Sequence, residues 1–186
     1  MAIKTFTTGE VLTAADTNTY LNNGGLVYIE TLTISGATSG YTDTAFTSAY
    51  KNYRIVGTFT STTAVNLIFT FRSASGDVTA SNYKYVGAYM AYGTSPAAWV
   101  LASNNGTANF PEWGRTNANN EESMIYSDIY GPQTATITNL SGKTVDGLIA
   151  RSVDGFYNGT TQMVGFKISA VANITGTFRV YGYRQA

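Results

Sequence analysis

Val65-Asn66-Leu67-Ile68-Phe69-Thr70-Phe71-Arg72 is the stretch that decides the fold class. Val65, Leu67, Phe69 and Phe71 share one phase of a two-residue period. Asn66, Ile68, Thr70 and Arg72 hold the other. Side chains alternate across a strand, so this pattern predicts a strand with one face buried and one mostly polar.

The same period recurs on both sides of it. Leu26–Ile34 and Tyr53–Phe59 are expected strands upstream. Tyr83–Tyr92, Met124–Tyr130, Val145–Arg151, Val164–Ala170 and Thr177–Tyr183 are expected downstream. Ser75-Gly76-Asp77 and Asn158-Gly159 supply turn chemistry, and Asn173 separates the last two strands as if in a tight hairpin. Short strands without crossover helices predict an all-β antiparallel β-sandwich, jelly-roll-like, with about eight strands. One domain over residues 26–186 accommodates them.

Residues 93–123 are expected as a long connection, with room for a short strand at 97–102. Both tryptophans, Trp99 and Trp113, lie in it. Two readings stand. The tryptophans cap one open end of the sandwich, or they form an exposed aromatic contact surface. Tyr89, Tyr92, Trp99, Phe110 and Trp113 are the candidate ligand or subunit contacts.

Residues 1–25 differ from the rest. Thr13 stands three positions before Asp16, a relative of the capping box. Leu12, Asp16, Tyr20 and Leu21 follow at helical spacing, and Asn22-Asn23-Gly24-Gly25 supplies a stop. A short N-terminal helix over 13–23 is expected. A helix of about two turns is marginal alone in water, so it docks either on its own domain or on a neighbouring subunit.

Composition narrows the function. The chain has no His and no Cys, which removes imidazole bases, thiolate nucleophiles, disulfides and most zinc or copper sites. Glu112, Glu121, Glu122 and Asp128 are the remaining acids to weigh for glycoside chemistry. Nothing in their spacing marks a cleft, so no catalytic residue is assigned and the chain is not expected to be an enzyme. Asp43, Asp77, Asp146 and Asp154 stand singly among turn residues and lack calcium-loop spacing. No metal site and no cofactor are expected. The net charge is zero, whereas coating nucleic acid needs a basic surplus; no nucleic-acid partner is expected. No apolar run reaches a membrane span, and Met1–Phe6 lacks the apolar core of a signal peptide. Asn105-Gly106-Thr107, Asn139-Leu140-Ser141, Asn158-Gly159-Thr160 and Asn173-Ile174-Thr175 match the glycosylation sequon but read as turn chemistry.

Three stretches carry a resemblance. Phe6-Thr7-Thr8-Gly9-Glu10-Val11-Leu12-Thr13-Ala14-Ala15-Asp16-Thr17-Asn18-Thr19-Tyr20-Leu21 resembles the opening F-x-x-G-E/Q-V-L-T-A-A/S-D-x-N-T-Y-L of tailed-bacteriophage structural proteins of the minor tail or tail-fibre type. Ala49-Tyr50-Lys51-Asn52-Tyr53-Arg54-Ile55-Val56 resembles their Y-x-x-Y-x-I-V strand. Gly176-Thr177-Phe178-Arg179-Val180-Tyr181-Gly182-Tyr183-Arg184 is similar to their terminal G-T-I-R-V-Y-G-Y-R strand. The resemblance implies a virion protein, made in the host cytoplasm and released by lysis. It implies docking on other virion proteins through residues 1–25, with Phe6, Val11, Leu12, Tyr20 and Leu21 as attachment residues. It further implies a homo-oligomer, a trimer above all, with a host surface glycan or protein as possible outer partner. A head decoration or cement protein is the alternative seat.

Overall fold

The computed structural model describes residues 7–11, 13, 25–91, 99–147 and 149–184. They build eleven strands: β1 (Leu26–Thr42), β2 (Asn52–Thr60), β3 (Val65–Ser73), β4 (Gly76–Asp77), β5 (Tyr83–Ala91), β6 (Trp99–Thr107), β7 (Phe110–Thr116), β8 (Ser123–Tyr130), β9 (Thr138–Val145), β10 (Ile149–Tyr157) and β11 (Gly165–Tyr183). Every pairing is antiparallel. The expected all-β antiparallel class holds, with eleven strands where about eight were expected. The expected helix at 13–23 falls almost wholly on residues outside the described ones.

β11 organises the whole. Its first part pairs with β3, from Gly165↔Arg72 to Ser169↔Ile68. Its last part pairs with β2, from Thr175↔Thr60 to Gly182↔Tyr53. β1 runs along its other edge for the full length, with register shifts around Ala37. Those irregularities let the pair bend while staying hydrogen-bonded. The expected hairpin at Asn173 is therefore absent: Val164–Ala170 and Thr177–Tyr183 belong to one strand. Ile174 is buried there, and Ser61 Oγ donates to the Asn173 carbonyl at 2.9 Å. The chain changes partner at this point, not direction.

From β2 the sheet continues β8-β9-β10-β5-β6. β3 carries β7 and β4 on its far edge. The sheet curls, so β7 faces β5, β8, β9 and β10 across the core. Three further expectations are corrected here. Residues 93–123 are not one long connection, because β6 and β7 lie within them. Val145–Arg151 is not one strand: the Asp146 carboxylate accepts the Ile149 N–H at 2.6 Å and turns β9 back into β10. Asn158-Gly159 closes no hairpin, since β10 and β11 do not pair.

The core is aromatic. Phe69 sits at its centre, stacked on Phe166 at 5.3 Å and tilted against Trp113 at 5.1 Å. Phe71, Phe110, Tyr83 and Phe178 complete it, all fully buried. Each such side chain contributes on the order of 2–3 kcal/mol by burial, and ring pairs add about 0.5–1.5 kcal/mol. The alternation in Val65–Arg72 is the sequence image of this packing.

Candidate functional site

The outward phase of β8, β9, β10, β5 and β6 makes the candidate site. These strands are adjacent, and a groove of about 660 Å³ crosses all five. That volume lies in the range of pockets that hold small ligands.

Register places its side chains. Tyr130 pairs with Asn139, Asn139 with Phe156, Phe156 with Lys84, and Lys84 with Asn105. A second row runs beside it: Asp128, Ser141, Asp154, Val86 and Ser103. The strand neighbours Ile129, Leu140, Val153, Tyr157 and Tyr83 are buried in the core. Alternation therefore turns Tyr130, Asn139, Ser141, Asp154, Phe156, Lys84 and Val86 outward. Tyr130 is 41% and Val86 50% exposed, which makes an apolar surface open to a partner. The Lys84 ammonium lies 5.9 Å from the Phe156 ring centroid. At the β6 rim, Asn104 Oδ1 accepts the Asn105 N–H at 2.7 Å.

A charged cluster borders the groove beyond Tyr130. Arg54 of β2 donates to Asp128 of β8, Nε to Oδ1 at 2.7 Å and Nη2 to Oδ2 at 2.6 Å. The Tyr183 hydroxyl donates to the same Oδ1 at 2.6 Å. Burial works against the Asp128 carboxylate, but the hydrogen bonds from Arg54 and Tyr183 outweigh it and hold its pKa below the ordinary value. Burial, then the bond to Asp128, pushes the Tyr183 hydroxyl up to about 12. The guanidinium also lies over the rings of Tyr126 and Tyr183.

Two of the candidate contacts lie in the core. Phe110 and Trp113 are fully buried in the core, which leaves neither side chain available to a partner. Tyr89 is partly buried, with the Arg151 guanidinium 5.3 Å from its ring centroid. Trp99 opens β6 and pairs with Met90 through its backbone; its side chain, like Tyr92, lies outside the described residues. Of the attachment residues, Val11 is 79% exposed, and Phe6, Leu12, Tyr20 and Leu21 lie outside the described residues. Thr7–Glu10 forms a reverse turn, with the Glu10 N–H on the Thr7 carbonyl at 3.0 Å and Gly9 at φ +89°.

The acids weighed for chemistry are dispersed. Glu112 pairs with Arg151, Asp128 with Arg54, and Asp43 and Asp77 with Arg72. Glu121 accepts from Asn117 at 2.9 Å. Among the described residues no three metal-ligating side chains cluster.

The sequence reading missed the groove residues. A signal was present: Tyr130 and Phe156 are aromatic at positions where their strands expect a polar residue.

No family model matches the chain, and no curated protein matches it. Among solved structures, a seed lectin isoform of Lotus tetragonolobus is similar at 11% identity with a TM-score of 0.22, over 89% of this chain and 96% of that one; so slight a likeness bears on neither fold nor ligand.

Proposed function

We propose that the chain is a bacteriophage virion structural protein of the tail-fibre or adhesion type. Residues 1–25 dock it on other virion proteins, and it works as a homotrimer. Its sandwich, jelly-roll-like in this reading, presents the outer groove to a host surface glycan or protein.

One observation supports this most. Two of the three stretches that resemble phage proteins converge. Tyr53-Arg54-Ile55-Val56 of β2 pairs residue by residue with Gly182-Tyr181-Val180-Arg179 of β11. Gly182 lies under the Tyr50 ring, where a Cβ would come 2.3 Å from Cγ. The Tyr53 hydroxyl accepts the Thr47 N–H at 2.8 Å and donates to the Thr47 carbonyl, with the Tyr50 carbonyl 3.1 Å away, which holds the loop that positions that ring. The chain enters β1 beside this pair, because the Arg184 N–H donates to the Gly25 carbonyl at 3.0 Å. Two parts of the motif that lie far apart in sequence are thus one local unit beside Gly25, where the chain enters β1. Among the described residues, the buried core draws on Ile34 to Val180.

Deleting residues 1–23 tests the reading. A folded sandwich that no longer joins the particle is the expected result. An insoluble or molten product places the segment in the core and overturns it.

The decoration alternative has its own support. Met124, Tyr126 and Val145 are exposed on the outer face, and such an apolar patch suits contacts between many copies. Copy number in purified virions separates the two: a count near the capsid lattice number rejects the fibre.

A further inference from the structure

We propose that the groove binds a short, uncharged oligosaccharide laid across the strands, with sugar rings stacked on Tyr130 and Phe156. This rests on reading the groove as the recognition face, and it names the ligand class.

The register carries the argument. Tyr130 and Phe156 stand on β8 and β10, two strand spacings apart, with Asn139 of β9 between them in the same outward row. Two spacings are roughly 9.5 Å. A pyranose unit advances by about the width of one strand, so three consecutive rings fit this row. The outer two lie on aromatic faces, and the middle one lies over the Asn139 amide. Sugar rings present weakly positive C–H groups, and aromatic faces are negative. Their hydroxyls both donate and accept, as amides do. Asp154, exposed in the neighbouring row, is an acceptor that can take two vicinal hydroxyls at once.

Other ligand classes fit worse. Lys84 and Asp154 cancel in formal charge within the lining, so a polyanion finds no surplus to pair with. An extended peptide adds to a free sheet edge, which the groove meets only at its β6 rim, whereas Tyr130, Asn139 and Phe156 stand on β8, β9 and β10, each paired on both sides.

The full chain is tested on an array of neutral, sialylated and sulfated oligosaccharides. The best neutral trisaccharide then goes to titration calorimetry. Neutral glycans are expected to bind, and charged ones to bind no better. Phe156→Ala and Tyr130→Ala should each weaken binding about tenfold or more. Phe156→Tyr and Tyr130→Phe, which keep the ring, should stay within about twofold. Val171→Ser, at a residue 86% exposed and outside the groove, should leave binding unchanged. Thermal unfolding of each variant shows that the fold survives. Absence of any neutral ligand, preference for charged glycans, or affinity that both alanine variants leave intact overturns the proposal. None of these outcomes depends on the particle, so failure here and failure of residues 1–25 to dock are read separately.

Discussion

Arg54 grips Asp128 with two parallel hydrogen bonds across the β2–β8 ladder, at 2.7 and 2.6 Å. The planar fork of a guanidinium matches a carboxylate in this way, and bidentate pairs are the strong ones.

A pH dependence follows. The folded pKa of Asp128 lies below its ordinary value, so the folded state holds this proton less tightly than the unfolded chain. The resulting stability is present above the ordinary carboxylate pKa of about 3.9 and is lost as pH falls through the folded value. Arg54 is 33% and Asp128 14% exposed, so water screens the pair and its worth is about 1 kcal/mol. Urea unfolding of the parent and Asp128→Asn should differ by that amount near pH ~6, and the gap should close as pH falls below the ordinary carboxylate value. A gap independent of pH contradicts the assignment.

Tyr183 should report on the same cluster from the alkaline side. Its hydroxyl is pushed up to about 12. The linked stability is complete below the ordinary tyrosine value of about 10 and is lost as pH rises through the folded value. Removing the neighbouring carboxylate charge with Asp128→Asn should lower the Tyr183 pKa. Carbon-13 NMR of labelled tyrosine rings checks this.

Tyr83→Phe should cost about 1–3 kcal/mol. The buried Tyr83 hydroxyl accepts the Phe71 N–H at 3.0 Å and donates to the Val78 carbonyl at 2.7 Å. The phenyl ring keeps the packing but leaves both backbone groups without this partner. Denaturant unfolding with an unchanged m-value is the expected signature.

Trp113→Ala should destabilise by about 3–5 kcal/mol, since it opens a cavity beside Phe69 and Phe178. Binding by any surviving folded fraction should be unaltered, because Trp113 is buried away from the groove. Loss of ligand affinity with full stability would contradict its placement.

Gly165→Ala should cost about 3 kcal/mol. A Cβ there would stand 1.9 Å from the Thr42 carbonyl oxygen, against backbone that cannot swing aside. Gly76→Ala, with open space but φ +109°, should cost about 1 kcal/mol from strain alone. Thermal or denaturant melts of the two variants give the comparison.

How much was legible in the sequence varied with the side chains. β3 was plain because Val65, Leu67, Phe69 and Phe71 all bury large groups. β9 was not. Its inward positions are Thr138, Leu140, Gly142 and Thr144, and Gly142 is small because a Cβ would meet Ser127 Oγ at 2.8 Å. The end of β9 merged with the start of β10 because Val145 and Ile149 both look like strand residues, while the Asp146 turn between them shows only in its hydrogen bonds. Two of the candidate contacts, Phe110 and Trp113, are buried for a related reason. Phe110 and Trp113 were picked for their chemistry, but Trp113 lies in a strand that folds over the sheet, where burial claims it.

The sequence by itself determined the class: period-two alternation in segment after segment, with no crossover helix between them, bound the chain to an antiparallel β module. Tertiary structure alone decided that two expected strands are one, because a bend without a turn depends on bulges in a partner 130 or so residues away, outside the reach of local pattern. It alone decided the groove as well. Tyr130, Asn139 and Phe156 stand in one row only through the register of three strands, and register is set by non-local pairing.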